Sequence, residues 1–105
     1  MSEELYRKIG EQFTEEHGAV VSQMFGKPCI KTSNKAFAAF GSGEMVFKVG
    51  QQELALLKDK YLGSRNWDPS GKNRAMKDWL QVPVDYTDDW ILLAKQALEY
   101  VEKNK

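Results

Sequence analysis

Between residues 19 and 49 the chain breaks into short β-favouring runs joined by connectors too brief to hold a helix. No other feature constrains the fold as much. The runs are Ala19 to Phe25, Cys29 to Thr32, Ala36 to Phe40 and Met45 to Val49. Ser33-Asn34 and Gly41-Ser42-Gly43 connect successive runs. Connectors this short reverse the chain into antiparallel hairpins, because a parallel return needs a crossover of about a dozen residues.

Helical patterning flanks this region. Ser2 followed by Glu3 and Glu4 is a helix start, since serine accepts from free amides and carboxylates suit the positive end of the dipole. Leu5, Ile9 and Phe13 recur every four residues and Gly18 reads as a left-handed stop, so a helix is predicted over 2–17. Gln52 to Lys60, with Leu54, Leu57 and the tolerant Ala55 and Leu56, suits a short second helix. Tyr61 to Trp67 reads as a strand with an irregularity at Gly63, and Asp68-Pro69-Ser70-Gly71 as a turn. A last strand, Asp78 to Val82, stops at Pro83. Thr87 is expected to cap a final helix with Asp88 and Asp89 in its first turn and Lys103 and Lys105 at its end. Trp90, Leu93 or Ala94, Ala97, Leu98 and Val101 form its apolar stripe. The order is helix, about three strands, helix, two strands, helix: a two-layer α+β fold with an antiparallel sheet covered by helices.

The chain has 105 residues, 42% of them hydrophobic, and is expected to form one domain over 1–105. A chain of this size buries roughly 65% of its unfolded surface, enough for one core without staples. Its single cysteine, Cys29, and single histidine, His17, exclude an internal disulfide and a zinc site built from this chain. No cofactor and no metal are expected. No apolar run approaches a membrane span, and the acidic start, Met1 to Glu4, is unlike a secretory signal, so no membrane association and a cytoplasmic location are expected.

Fifteen Lys and Arg balance fifteen Asp and Glu, which argues against a strongly basic polyanion binder. The balance is uneven along the chain. Residues 1–16 hold Arg7 and Lys8 against Glu3, Glu4, Glu11, Glu15 and Glu16, a net of −3. Residues 58–77 hold Lys58, Lys60, Arg65, Lys72, Arg74 and Lys77 against Asp59 and Asp68, a net of +4. Residues 85–102 return to −4, with Asp85, Asp88, Asp89, Glu99 and Glu102 against Lys95.

The basic stretch is interleaved with Tyr61, Trp67 and Trp79. Cations hold phosphates and aromatic faces stack on bases, so Lys58, Lys60, Arg65, Lys72, Arg74, Lys77 and Trp67 are the candidate anion or nucleic-acid contacts. The competing reading leaves the cations solvated and both tryptophans in the core. Cys29 with His17 would make a nucleophile and base, but no local motif surrounds either, and a lone strand cysteine reads as a small buried residue. Asp85, Asp88 and Asp89 read as capping groups rather than a cation site. Gly41-Ser42-Gly43 and Ser70-Gly71-Lys72 read as turns, since neither completes a phosphate-binding loop.

Met24-Phe25-Gly26, Lys35-Ala36-Phe37, Met45-Val46-Phe47-Lys48-Val49 and the segment Gly71 to Pro83, with its Arg74, Met76, Trp79 and Val82-Pro83 in order, together resemble the TfoX amino-terminal domain family. The YjbR/MmcQ group is more distantly similar in its Lys-Phe and strand pattern. The resemblance implies the same two-layer order, helix, three strands, helix, two strands, helix, and supplies no catalytic residues. In the bacterial competence regulators of that family this domain is joined to a carboxy-terminal one. That second domain is not expected here, since the chain ends after its last helix. The chain departs from the family at Lys27-Pro28, where a second glycine is usual, and at Ala75, where a proline is usual. The leading expectation is a small non-enzymatic regulatory module that binds a protein partner, with a homodimer through a sheet edge or apolar face as one form. A nucleic-acid-binding regulator using residues 58–77 is the alternative, and an enzyme using Cys29 the third reading.

Overall fold

In the computed structural model, which describes residues 2–104, the chain forms three helices and one six-stranded antiparallel sheet. The elements are α1 (Ser2–His17), β1 (Val20–Met24), β2 (Lys27–Thr32), β3 (Lys35–Gly41), β4 (Glu44–Lys48), α2 (Gln51–Lys60), β5 (Arg65–Asn66), β6 (Trp79–Val82) and α3 (Trp90–Lys103). Each β-favouring run between 19 and 49 forms a strand, so the block between α1 and α2 holds four. The spatial order is β1-β2-β3-β4-β6-β5, which places β1 and β5 at the two edges.

Local chemistry makes the hairpins. Phe25-Gly26, Ser33-Asn34 and Ser42-Gly43 each take positive φ at both positions, as a two-residue turn matched to strand twist requires. Gly18, at φ +69°, ends α1 with its amide on the Thr14 carbonyl. The buried stripe of α1 is Tyr6, Ile9, Gly10 and Phe13, with Leu5 half-buried beside it. In α3, Trp90, Leu93, Ala94, Ala97, Leu98 and Val101 are all buried, as their spacing predicts.

Three expectations change. Tyr61 to Trp67 is not one strand: Tyr61 caps α2 with its amide on the Leu57 carbonyl, and only Arg65–Asn66 pairs with β6. Thr87 does not cap α3, because a 3-10 turn over Val84–Asp89 follows Pro83 and α3 starts at Trp90 with no side-chain cap. Asp88 and Asp89 therefore precede the helix rather than fill its first turn. Lys105 lies outside the described residues.

Both faces of the sheet are covered, unequally. On one, α1 and α3 close a core that includes Ile30, Phe37, Met45, Phe47, Leu80 and Val82. On the other, Cys29, Ala36, Ala39, Val46, Trp67 and Trp79 form a smaller cluster. β3 feeds both through a β-bulge: Ile30 pairs with Ala38 and Lys31 with Ala36, leaving Phe37 as the extra residue.

Gly50, at φ +87° and ψ 158°, connects β4 to α2 in a region open essentially to glycine alone. A Cβ there would also stand 2.7 Å from Tyr100 Cε1. Gly50→Ala is expected to cost about 2–4 kcal/mol from backbone strain and overpacking together. Thermal unfolding followed by circular dichroism checks this, and an unchanged Tm would refute the packing argument.

Candidate functional site

The basic stretch folds into three places, and its first half is spent on internal ties. Lys58 on α2 donates to Asn66 Oδ1 at 3.0 Å, and Asn66 in turn donates to the Met76 carbonyl. The Lys60 ammonium stands 5.4 Å from the centre of the Tyr61 ring. Arg65 lies 3.6 Å from the Glu44 carboxylate, which also accepts from buried Gln81 at 2.8 Å. Lys72, Arg74 and Lys77 differ: all three are exposed on the loop between β5 and β6, and their side chains form no ion pair with another described residue.

Asp68 organises that loop. Its carboxylate accepts from the Ser70 hydroxyl at 2.7 Å and from the amides of Ser70, Gly71 and Arg74 at 3.0–3.2 Å. These bonds, the Ser70 hydroxyl first, hold its carboxyl below the usual carboxylate range. The negative charge of Asp68 is thus consumed by the turn, leaving the loop cations outward.

Trp67 is not the stacking platform its position among cations suggests. It is only 2% exposed, packed against Trp79 with ring centres 5.2 Å apart. The exposed aromatic is Phe25, in the β1–β2 turn, 62% exposed and edge-on to Trp67 at 6.2 Å. Phe25 takes φ +55°, a conformation unusual for a bulky side chain. With Pro69, Ser70, Arg74 and Met76 it lines an open groove of about 390 Å³. β1 itself runs out from this groove as the sheet edge, with Val20 and Val21 about 60% exposed. Phe25 thus stands in the turn after β1 rather than at the end of the Ala19 to Phe25 strand that local pattern predicts. Neutrality of Val20 to Met24 was visible, but which strand lies at the edge depends on sheet order.

The remaining candidates separate. Cys29 is fully buried on the face away from α1, and burial pushes its thiol up while Lys31 pulls weakly the other way. His17 ends α1 with its ring against Phe13, so the sheet lies between the two and no nucleophile–base pair forms. Asp89 accepts from the Tyr61 hydroxyl at 2.8 Å, and no group of three metal-ligating side chains occurs among the described residues. Among these residues no helix is long and apolar enough to cross a membrane.

Comparison with protein-family models, with curated proteins and with solved structures returns no match to this chain.

Tyr61, the third aromatic of the basic stretch, is 4% exposed and joins α2 to the turn before α3, edge-on to Tyr86. Burial, reinforced by the bond to Asp89, pushes its phenol from 10.0 up to about 12. Ionisation is therefore harder in the folded chain than in the unfolded one. The linked stability is complete below pH 10.0 and is lost as the pH rises through about 12. Tyr61→Phe is expected to lose about 1–2 kcal/mol at neutral pH and to flatten the fall in stability across that alkaline window. Urea titrations at several pH values measure both effects, and a slope equal to that of the parent chain would refute the linkage.

Proposed function

We propose that this chain is a small non-enzymatic interaction module, similar in kind to the TfoX amino-terminal domain, that binds protein by accepting a strand on its open sheet edge. One observation carries the reading. The outer side of β1 has no strand partner among the described residues, and its five residues bear no charge. Unpaired backbone amides and carbonyls along such an edge gain main-chain hydrogen bonds from an added strand, while exposed side chains supply selectivity. Val20, Val21 and Phe25 are the apolar side chains in place to do so.

A direct test uses a labelled, end-blocked peptide copying residues 19–25, titrated with dilute protein and followed by fluorescence anisotropy. Met24, beside the two-residue turn, and Ser22 bond back to β2, so Val21 and Gln23 present the free amides of the edge. The peptide is expected to bind, and the same peptide with Gln23→Pro to fail, because proline there removes a donor to that edge. Equal signals from the two peptides, or none from either, would remove the reading.

A second reading has its own support. Lys72, Arg74 and Lys77 are exposed on one loop, and Arg74 shares a groove with exposed Phe25. That arrangement suits a single-stranded nucleic acid, with a base on the phenylalanine and phosphates on the cations. Binding of a labelled oligonucleotide should then weaken with salt. Each charge removed at Lys72, Arg74 or Lys77 should lower the log–log salt slope by about 0.7–0.9. Absence of binding to DNA and RNA at low salt ends this reading.

A further inference from the structure

The two edges of the sheet are managed differently. β5 is two residues long and carries Arg65, a short charged edge of the kind that resists pairing. β1 is five residues, Val-Val-Ser-Gln-Met, without lysine or proline and paired to β2 with no register shift. Three of the seven large apolar side chains exposed among the described residues, Val20, Val21 and Phe25, belong to this strand and its turn. Resting on the strand-accepting reading above, we propose that the partner is a second copy of this chain. β1 runs antiparallel to its mate about a two-fold axis through Ser22, joining two six-stranded sheets into one of twelve.

The register follows from the faces. Met24, and Ser22 opposite Cys29, lie on the tryptophan side of the sheet. Val21, opposite Ile30 and 3.5 Å from where a Cβ on Gly10 would stand, lies on the helix side. Facing residues of an antiparallel pair share a side, and a two-fold axis perpendicular to the sheet preserves sides. The register centred on Ser22 is the one that pairs all five residues. Val20 then faces Met24 of the second copy, Val21 faces Gln23, and Ser22 faces itself. Phe25 comes opposite Ala19. No charge meets a like charge at any pair, so the edge is self-complementary. A nucleic acid or an acidic peptide finds no cation on β1 to hold it, which favours the second copy as occupant.

Sedimentation velocity of the full chain over rising concentration, combined with cross-linking by oxidised glutathione, tests the proposal. A concentration-dependent dimer is expected. Ser22→Lys, which sets two ammonium groups face to face, should weaken it by at least about tenfold. Ser22→Cys should form an intermolecular disulfide readily, whereas Val20→Cys should not, because its two copies would sit roughly 13 Å apart along the strands. Cys29 is fully buried and does not compete. A monomer at millimolar concentration, or equal cross-linking of the two cysteine variants, overturns the proposal. A monomer that still binds the strand peptide refutes only the dimer of folded chains, since the edge then accepts the strand but not a whole second copy; one that binds no peptide refutes the strand-accepting reading as well.

Discussion

The extra residue in β3 governs how this sheet is filled. Phe37 and Phe40 are three apart, a spacing that would put them on opposite faces of a regular strand. The bulge between the Ile30 and Lys31 pairings turns both toward the helix layer. There they meet Phe13 and Tyr6 of α1, with ring centres 5.7 and 5.2 Å apart. The lengths agree: seven helical residues and three strand residues each span about 10 Å. An aromatic ladder of two rungs thus fixes α1 along β3, with Gly10 of the helix beside Val21 and Ile30. The same bulge leaves Ala36 and Ala39 together on the opposite face.

That opposite face is built from small groups, and this decides what happens to the chain between β5 and β6. Cys29, Ala36, Ala39 and Gly41 leave a hollow over β2 and β3 that the indoles of Trp67 and Trp79 occupy. Trp67 is tied at both ends, its amide on the Trp79 carbonyl and its own carbonyl accepting from Met76. With those anchors set, the intervening residues bulge into solvent, and Asp68 closes the bulge. Lys72, Arg74 and Lys77 are therefore presented outward because an indole is held inward. The contrast with Lys58 and Arg65 follows, since those two precede the anchored segment and find Asn66 and Glu44 within reach.

Much of this was written locally. Ser33-Asn34 and Gly41-Ser42-Gly43 announce hairpins by turn chemistry, and the stripe of α3 announces its buried side by period. What depended on distant register was not legible. Tyr61 and Trp67 look alike in sequence, a pair of aromatics at strand spacing, yet one packs beside Tyr86 and the other beneath the sheet. Asp88 and Asp89 look like the first turn of a helix capped by Thr87, but the 3-10 turn after Pro83 sets both before it, and Asp89, at the N-cap position, accepts from Tyr61 instead of capping. For the candidate site, the basic character of residues 58–77 was plain and the burial of Trp67 stood among the readings. The division of cations into tied and free was not, because Arg65 and Glu44 are brought together only by strand pairing across β4, β6 and β5.

The distribution of charge at the edges carries the argument one step further. The lysines nearest β1 stand one strand inside it: Lys31 faces Val20 and Lys27 faces Met24 across the β1–β2 ladder. Lys27 also lies over the sheet toward β3, its Cδ 3.1 Å from where a Cβ on Gly41 would be. Cations so placed keep that sheet face solvated without entering the edge, and pairing at the edge need not strip water from any charge on β1. Burying a charge costs free energy unless it is matched, whereas backbone amides and carbonyls gain partners when a strand is added. A chain with fifteen cations leaves this one edge strand without any. The edge that is short and charged is thereby suited to water, and the edge that is long and neutral to another strand.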